Sequence, residues 1–211
     1  MSFIKDGATV LFQGDSVTDV YRSREDTTDL GPGYAMMVAA WLAATQPSKR
    51  VQFINRGVGG NKTCDLATRW QEDCIDLKPD VVSILVGIND SWRRYDSNDF
   101  TSTEAFETNY RRLLDWTKKE TSASLVLMEP FLSPVTEDRT AWREDLDPKI
   151  HVVRKLAVEY GAILIPLDGI FAAACSHREP AFWCPDGIHP SIPGHGLIAR
   201  AWMEGTGEYA G

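Results

Sequence analysis

Five short apolar runs, separated by segments with helical periodicity, are the feature that most restricts how this chain can fold. Uninterrupted runs rich in branched residues are typical of strands that are buried on both faces of a sheet. Strands that alternate with helices pair in parallel through right-handed crossovers. We therefore predict an α/β fold, a three-layer α/β/α sandwich around a five-stranded parallel sheet. The predicted strands are Ala8–Gln13, Val51–Asn55, Val81–Val86, Ser124–Glu129 and Ala162–Pro166.

Apolar residues at helical spacing predict the helices between these strands. A capping box from Thr101 to Glu104 marks the start of one of them. We predict a loop over Ser133–Asp145, which is long for such a sandwich and is expected to shape the site or make an oligomer contact. The helices are predicted around Tyr34–Leu42 and Phe106–Leu114 and over Thr63–Ile75, Pro148–Tyr160 and Pro193–Met203.

The length and charge of the chain limit its domain number and its partners. At 211 residues it suits one domain, which we place over residues 1–211. The formal net charge of -8 argues against a nucleic acid or an anionic membrane as partner, because both are negatively charged, and a neutral or cationic small molecule fits better. The first residues lack the features of a signal peptide and no apolar run could span a bilayer, so we expect a cytoplasmic protein.

The cysteines predict neither a metal site nor a disulfide framework. Cys64 and Cys74 fall in one predicted helix, where a rise of about 1.5 Å per residue holds them too far apart to bond. Cys175 and Cys184 could meet across a loop, and the sequence leaves their redox state open. No His or Asp stands at metal-ligand spacing around them, so we predict no metal and no other cofactor.

Polar fragments follow three of the predicted strands. Gly14-Asp15-Ser16 follows the first strand, Gly57-Val58-Gly59-Gly60 the second, and Gly87-Ile88-Asn89-Asp90 the third. The carboxyl ends of parallel strands meet at one edge of the sheet, so these fragments are expected to lie close together. Asp186 and His189 stand beyond the fifth strand, in a loop bounded by two prolines, and their spacing lets the carboxylate reach the imidazole.

This set of residue types fits acyl transfer by an activated serine. A neutral histidine with a pKa of about 6.5 can remove the proton of a serine hydroxyl near neutral pH, which assigns Ser16 as nucleophile and His189 as base. Asp186 would fix the imidazole tautomer and stabilise its protonated form. The oxyanion of the tetrahedral intermediate needs preorganised donors, and we assign the backbone amides of Ser16 and Gly60 and the side chain of Asn89.

Each fragment alone is typical of an ordinary turn, and only their combination and order predict a serine hydrolase. Several neighbours are candidate substrate-binding residues with a structural alternative. Trp92 and Trp183 could stack on a sugar or close a short acyl pocket, or simply pack in the fold. Arg93 could touch substrate hydroxyls or be surface charge, and Asp15 could contact substrate or hold its loop through backbone N–H groups. His195 fits a satisfied histidine at a helix start better than a substrate contact.

The chain resembles the SGNH hydrolases, also called GDSL esterases/lipases, from about Thr9 to Trp202. The four family blocks carry a Ser, a Gly, an Asn and a His. This resemblance implies a flavodoxin-like α/β/α fold, no metal, and hydrolysis of carboxylic esters through an acyl-enzyme. Family members often have Ser before the glycine of the second block, whereas this chain has Gly59, so either glycine is a possible donor and we favour Gly60. The positions that match the four blocks are Ser16, Gly60, Asn89 and His189 with Asp186.

Longer fragments are similar to those of intracellular acetyl xylan and xylo-oligosaccharide esterases within this family. They include Gly31-Pro32-Gly33-Tyr34, Arg69-Trp70-Gln71-Glu72-Asp73 and His189-Pro190-Ser191-Ile192-Pro193-Gly194-His195. The resemblance implies a short-chain serine esterase that removes acetyl groups from carbohydrates, and we expect a homo-oligomer with an acylated sugar as substrate. The sequence does not indicate which sugar or hydroxyl carries the acetyl group.

Other functions remain open from the sequence. Within the family, a short-chain esterase or a lysophospholipase/thioesterase is the near alternative. A non-catalytic carbohydrate-binding or assembly protein is another. A metal-dependent phosphoesterase is the third, with ligands drawn from Asp15, Asp19, Asn89, Asp90, Asp186 and His189.

Overall fold

A computed structural model describes residues 2–209 and contains the five parallel strands that the sequence predicts. All four strand pairs are parallel, and the strand order across the sheet is β2-β1-β3-β4-β5. The three-layer α/β/α prediction is therefore confirmed. The strands are β1 Thr9–Gly14, β2 Gln52–Asn55, β3 Val81–Leu85, β4 Ser124–Met128 and β5 Ile163–Ile165.

The strand order places a topological switch point between β1 and β3. The chain leaves β1 toward β2 on one side and then crosses back to β3 on the other. Connections that diverge in this way leave a crevice at the carboxyl ends of the two strands, where ligands bind in open α/β sheets. Gly14 pairs with Leu85 at this edge, so the segments that follow the two strands start side by side.

Ten α-helices and one short 3-10 helix surround the sheet in the part of the chain that the structure describes. None of these helices has the length and apolar composition needed to cross a membrane. The 3-10 helix is Ile75–Leu77. The α-helices are α1 Ser16–Asp19, α2 Tyr34–Thr45, α3 Thr63–Asp73, α4 Ile88–Asp96, α5 Thr103–Glu120, α6 Glu137–Ala141, α7 Arg143–Glu159, α8 Leu167–Cys175, α9 Pro180–Trp183 and α10 Ile192–Gly205.

Alternate residues of the strands point into two separate apolar layers. Val10 and Phe12 of β1 pack on one face with α2, α8 and α10, and Leu11 packs on the other with α3, α5 and α7. Trp202 crosses the first layer, and its Nε1 donates to Ser83 Oγ at 2.9 Å. Because apolar side chains cover both faces, the sheet exposes only its edges, and polar chemistry is confined to the strand ends.

The prediction of a loop over Ser133–Asp145 was wrong, because this segment contains α6 and the first turn of α7. Helix α7 begins at Arg143, so Pro148 lies inside it instead of at its first residue. Proline favours the first position of a helix, but the burial of side chains before Pro148 sets an earlier start for α7. Trp142 and Leu146 pack in a third apolar cluster with Ile88 and Ile188. This burial stabilises the turn that precedes the proline.

The boundaries of α5 and α3 also differ from the predicted ones. The cap of α5 is Ser102, whose Oγ accepts from Ala105 N at 3.2 Å, and Thr101 lies outside the helix. Helix α3 ends at Asp73 because the chain turns at Cys74 into the 3-10 helix. All four cysteines are free thiols, so Cys175 and Cys184 do not bond to each other.

Candidate active site

The nucleophile of the predicted site lies at the start of α1, directly after β1. A Cβ atom on Gly14 would stand 2.2 Å from Leu85 O, so the close approach of β1 to β3 requires glycine here. Asp15 then caps α1, because its Oδ1 accepts from Val17 N at 3.0 Å. As a result Ser16 is the first helical residue and stands partly exposed at the crevice.

Ser16, His189 and Asp186 form one hydrogen-bonded chain. Ser16 Oγ lies 2.9 Å from His189 Nε2, and His189 Nδ1 lies 2.6 Å from Asp186 Oδ2. A carboxylate can only accept at this contact, so the proton belongs on Nδ1 and Nε2 is left to accept from the serine hydroxyl. The two side chains that the sequence places on the terminal loop thus meet the serine that follows the first strand.

The electrostatics of this chain suit a general base. The hydrogen bond to Asp186 raises the pKa of His189 above its ordinary value, although burial opposes the shift. Burial also raises the pKa of Asp186, but donation from the His189 side chain and from the backbone N–H groups of His189 and Ile188 outweighs it, so this pKa lies well below its usual range. Asp186 is therefore a stable anion that holds the imidazole in place.

Asp15, a candidate substrate-binding residue from the sequence, is buried beside the nucleophile. Its side chain is 1% exposed and is occupied in capping α1. Burial raises the pKa of Asp15 to about 7. The alternative from the sequence, a residue that holds the nucleophile loop through backbone N–H groups, agrees with this placement.

The backbone N–H groups of the two glycines after β2, Gly59 and Gly60, differ in their hydrogen bonding. Gly59 N donates to Asp19 Oδ2 at 2.8 Å, so this amide is already occupied. Gly60 has a φ of 83°, a left-handed conformation that suits glycine, and its N–H has no acceptor among residues 2–209. The geometry thus favours Gly60 over Gly59 as the free donor.

Asn89 lies in the first turn of α4 and is almost fully buried. Its Nδ2 donates to Asn61 O at 3.1 Å, which fixes the orientation of the amide and leaves its second N–H available. The following residue, Asp90, accepts from Thr63 N and from Thr63 Oγ1, the latter at 2.7 Å. Burial raises the pKa of Asp90 to about 6, and its contacts tie α4 to the start of α3.

Asn55 at the end of β2 organises the loops around the nucleophile, a role that the sequence analysis missed. Its Nδ2 donates to Thr18 O at 2.6 Å and Leu30 O at 2.8 Å, and its Oδ1 accepts from Gly57 N at 2.8 Å. All three partners are backbone groups: Thr18 belongs to α1, Leu30 to the loop before α2, and Gly57 to the loop after β2. The sequence signal for this role was the position of an asparagine at the end of a predicted strand.

Trp92 and Arg93 lie on α4, near the loop that carries Asp186 and His189, which we call the catalytic loop. The Trp92 ring meets the His189 ring edge-on, with centroids 6.0 Å apart. The Arg93 guanidinium lies 5.1 Å from the centre of the Trp92 ring, forms an ion pair with Asp96 and passes close to Gly60. Their predicted roles in substrate binding stay predictions.

Trp183 is placed differently from Trp92. Its Nε1 donates to Ala174 O at 3.2 Å, and its ring packs partly buried against the apolar layer beneath α10. Its backbone oxygen accepts from Ser191 N at 2.8 Å. The indole is thus engaged in packing, the alternative that the sequence left open, and a role for Trp183 in stacking on a sugar stays a prediction.

Arg139 on α6 also contacts the catalytic loop, and its role was not predicted from the sequence. Its Nε donates to the backbone oxygen of Asp186 at 3.1 Å. Its guanidinium lies over Trp142, 4.0 Å from the ring centre, and 5.9 Å from the centre of Trp92. In addition, Ser133 N donates to Gly187 O at 2.9 Å, so the segment before α7 supports the loop that carries Asp186 and His189.

A cavity of about 160 Å³ opens beside the nucleophile. One wall is His195, in the first turn of α10, whose Nδ1 accepts from Tyr34 N at 3.3 Å. Burial, followed by the charge of His189, lowers the pKa of His195 to about 4, so this second histidine is neutral near pH 7. The cavity is lined by Ser16, Asp19, Val20, Tyr21, Gly59, His189, Pro190 and His195.

Within residues 2–209, no three His, Cys, Asp or Glu side chains are placed to hold a metal ion. The acidic residues that the phosphoesterase alternative would need are engaged elsewhere. Asp19 pairs with Arg24 and accepts from Gly59 N, and Asp90 accepts from Thr63. That alternative therefore lacks a ligand set in the described part of the chain.

Comparison with known proteins identifies the family. The model of the GDSL-like lipase/acylhydrolase family matches residues 12–197, which include every residue of the Ser16, His189 and Asp186 chain. The chain belongs to this family. This GDSL-like acylhydrolase is therefore a carboxylic ester hydrolase, as the resemblance in the sequence implied.

Individual relatives are similar over nearly their whole length. The acylhydrolase is 34% identical to an acetylxylan esterase from Geobacillus stearothermophilus, over 97% of this chain and 96% of the relative. A solved structure of that esterase superposes with a TM-score of 0.90, at 34% identity and with 97% and 96% of the two chains covered. Two structures of the same esterase are described as catalytic mutants, with alanine in place of a serine in one and an aspartate in the other.

Two further solved structures confirm the fold. A GDSL-like lipase from Parabacteroides merdae gives a TM-score of 0.94 at 35% identity, with 98% of each chain covered. An alpha/beta hydrolase from the metagenome of Lake Arreo, Spain, gives 0.92 at 32% identity, with both chains covered completely. The match over whole chains shows that the acylhydrolase keeps the layers and strand order of its relatives.

Proposed function

We propose that this GDSL-like acylhydrolase removes acetyl groups from carbohydrate esters, such as acetylated xylo-oligosaccharides, through an acyl-enzyme on Ser16. The observation that carries the proposal is the hydrogen-bonded chain from Ser16 Oγ through His189 to Asp186, at 2.9 and 2.6 Å. A serine oxygen that lies within hydrogen-bond reach of an oriented imidazole is the arrangement that nucleophilic catalysis requires.

In the first half-reaction, Ser16 Oγ attacks the ester carbonyl carbon while His189 Nε2 accepts the hydroxyl proton. The protonated imidazole is stabilised by Asp186. When the tetrahedral intermediate collapses, its C–O bond to the sugar breaks and His189 gives its proton to the departing sugar oxygen. The product of this step is a free sugar hydroxyl and an acetyl ester of Ser16.

In the second half-reaction, a water molecule attacks the acetyl carbon and His189 accepts its proton. Collapse of this intermediate returns the proton to Ser16 Oγ and releases acetate. The negative oxygen of both intermediates would accept from the N–H groups of Ser16, Gly60 and Asn89. Removal of one such donor typically costs about 3–4 kcal/mol of transition-state stabilisation.

The size of the cavity supports a short acyl group. Its volume of about 160 Å³ is below the roughly 300 Å³ at which sites for drug-sized ligands begin. An acetyl group needs little space, whereas a long fatty acyl chain would have to lie along the surface. This favours an acetylesterase over a lysophospholipase or thioesterase, the near alternatives within the family.

The sugar part of the substrate is supported by similarity. The acetylxylan esterase from Geobacillus stearothermophilus is similar along 97% of this chain, and structures of it are described as those of an acetyl-xylooligosaccharide esterase. We carry this substrate class over as part of the proposal. A homo-oligomeric assembly also stays a prediction.

Substitution of Ser16 tests the acyl-enzyme. Wild-type protein should react with a fluorophosphonate probe, with the label on Ser16, and should release acetate from p-nitrophenyl acetate. Ser16→Ala should lose the label and about 10⁴-fold or more of the rate, because the residual rate comes from the oxyanion donors and binding alone. Ser176→Ala is a matched control, because Ser176 is exposed, and it should keep both the label on Ser16 and the hydrolysis rate. An unchanged rate in Ser16→Ala would overturn the mechanism and favour a non-catalytic binding role for this site.

Deacetylation followed by NMR tests the substrate class. Acetylated xylo-oligosaccharides and other acetylated sugars would be compared with ethyl esters of increasing acyl length, with Ser16→Ala as the blank. We expect the acetyl sugars to be cleaved and the rate on ethyl esters to fall beyond short acyl groups. Faster turnover of octanoyl than of acetyl esters would contradict the argument from cavity size and favour a lipase-like function.

A further inference from the structure

The segment that follows the nucleophile helix is strained. Val20 and Tyr21 come directly after α1 and have φ values of 43° and 57°. Both values lie in the left-handed region, which L-residues avoid because Cβ approaches the following carbonyl oxygen. A β-branched valine is especially rare there. Such strain is kept only where the surrounding structure enforces it, and it is common at ligand sites.

Hydrogen bonds on both sides of Tyr21 enforce this conformation. Val20 N donates to Ser16 O at 3.1 Å, and Arg22 N donates to Asp19 O at 3.0 Å. The Arg22 side chain is buried, and its guanidinium donates to Gly57 O at 3.2 Å. The backbone of Tyr21 is therefore fixed to the nucleophile helix and to the glycine-rich loop after β2.

The side chain of Tyr21 is fully exposed, although its residue lines the cavity that contains Ser16. Other tyrosines of the chain, such as Tyr34 and Tyr110, are buried in the apolar layers. A large aromatic ring that gains nothing from internal packing, on a backbone that is held in a strained state, is difficult to explain by folding stability. A bound ligand would supply the missing contact.

We propose that Tyr21 is a specificity-determining residue whose ring forms a platform for the sugar of the acylated substrate. This inference rests on the proposed function. The face of an aromatic ring is negatively polarised, and the C–H groups on the face of a pyranose ring carry the complementary charge. Tyr21 lines the cavity together with Ser16, His189 and Pro190, and its ring is exposed to solvent, so a sugar whose acyl group is at Ser16 could reach it.

The test compares a sugar ester with an ester that has no ring. For each protein, kcat/KM would be measured on acetylated xylobiose and on ethyl acetate, and the ratio of the two would be reported. Tyr21→Ala should lower this ratio by about 3- to 10-fold, mainly through KM, which corresponds to the usual strength of one aromatic stacking contact. Tyr21→Phe keeps the ring and should keep the ratio.

Two further variants separate the ring from the backbone. Tyr21→Gly removes the ring and also relieves the left-handed strain, so it should lower the ratio as far as Tyr21→Ala does while its Tm is unchanged or higher. Tyr209→Ala removes another exposed tyrosine, which stacks on Trp41 and lines a different cavity, and should leave the ratio unchanged.

The outcomes distinguish this inference from the proposed function. A ratio that stays at the wild-type value in both Tyr21→Ala and Tyr21→Gly would overturn the platform and leave the esterase intact. Tyr21→Ala could instead lower kcat/KM equally on both esters, and Tyr21→Gly could restore it. That result would show that the residue acts through loop conformation only, and would also overturn the platform. Wild-type protein that cleaves ethyl acetate but no acetylated sugar would overturn the proposed substrate, and the platform with it.

Discussion

His189 is the residue on which both halves of the active site depend, because each of its ring nitrogens has a separate partner. Nε2 lies beside Ser16 Oγ, and Nδ1 lies beside Asp186 Oδ2. The carboxylate decides which nitrogen carries the proton, and this choice leaves the other nitrogen free to act as a base. The protonation state of one imidazole should therefore control the rate.

We predict that Asp186→Asn moves the acidic limb of the pH profile. The hydrogen bond to Asp186 raises the pKa of His189, so the neutral base is lost as the pH falls through a value above the ordinary 6.5. Without the carboxylate this pKa decreases, and the limb should move to lower pH while the plateau of kcat/KM falls by roughly 10⁴-fold. The measurement is kcat/KM for p-nitrophenyl acetate from pH 4.5 to 9.

The control for this prediction is Asp168→Asn, which removes a carboxylate that pairs with Arg143 instead of with His189. It should leave the position of the limb unchanged. If the limb of Asp186→Asn stayed at the wild-type pH, another group would be responsible for the raised pKa of the base.

At the level of single residues, the sequence indicated the candidate catalytic side chains but not the residues that position the loops around them. Ser16, Asn89 and the Asp186–His189 pair could be singled out only as a set, because each fragment alone is typical of a turn and their combination and order fit a serine hydrolase. The roles of Asp19 and Asn55 were not predictable, since both act on backbone groups of distant segments. Such contacts depend on how the loops pack, and no local pattern encodes them.

Among the elements, α6 has the most specific relation to the site. This short helix supplies Arg139, which contacts the backbone of Asp186 and lies over Trp142 at the start of α7. The helix thus connects the third apolar cluster to the catalytic loop. Its effect on catalysis would be indirect, through the position of the Asp186 carboxylate.

We predict that Arg139→Gln lowers kcat by about tenfold with little change in KM. A lost hydrogen bond from a charged donor is worth about 1.5–3 kcal/mol, and part of that loss should appear as a misplaced Asp186. The same displacement should move the acidic limb of the pH profile to lower pH, a change that general destabilisation would not produce. Arg139→Lys keeps the charge but not the planar group over Trp142, so it should rescue only part of the rate.

Arg200→Gln provides the matched control, because Arg200 is exposed and pairs with Glu204 one turn away. It should behave as the wild type. A pH profile of Arg139→Gln that coincides with the wild-type profile, together with a lowered Tm, would show that Arg139 acts on stability alone.

Element boundaries were predictable where the pattern was local and failed where burial decided. The strands were found to within a residue or two because their apolar runs are uninterrupted. The start of α7 was missed because proline is a strong local signal, whereas the burial of Trp142 and Leu146 depends on Ile88 and Ile188 in distant segments. Short helices such as α1 and α6 have too few residues to show a period.

For the whole molecule, Glu208 connects the two ends of the described chain. Its Oε1 accepts from Ile4 N at 2.7 Å, and its Oε2 accepts from Gln46 Nε2 at 2.9 Å and lies 3.2 Å from Lys49 Nζ. Burial raises the pKa of Glu208, but these donors outweigh it and lower the pKa to about 2. The carboxylate therefore stabilises the fold only while it is charged.

We predict that Glu208→Gln lowers the free energy of unfolding by about 1–3 kcal/mol at pH 7, the usual cost of an unsatisfied buried group. The native pKa is lower than the unfolded value of about 4.3, so the stabilisation is complete above that pH and is lost as the pH falls toward 2. The difference between wild type and variant should shrink over this range in urea titrations. Exposed Glu204→Gln is the control, and a difference that does not depend on pH would contradict the assignment.

The global fold was predictable because a parallel sheet with covered faces leaves few arrangements for five alternating strands and helices. The strand order then brings the segments after β1 and β3 together at the switch point. What the sequence could not provide was the shape of the space beside Ser16, since four separate stretches of the chain contribute to it: residues 16–21, Gly59, His189 with Pro190, and His195.

Ser16 and His189 are 173 positions apart in the chain, although their side chains touch. During synthesis from the N-terminus, the proposed nucleophile and oxyanion donors would emerge long before the proposed base does. A nascent or truncated chain that ends before Asp186 would therefore carry an inert serine. Ester hydrolysis by this protein is thus a readout of completed folding, and a fluorogenic acetyl ester could report the refolding of the last loop in real time.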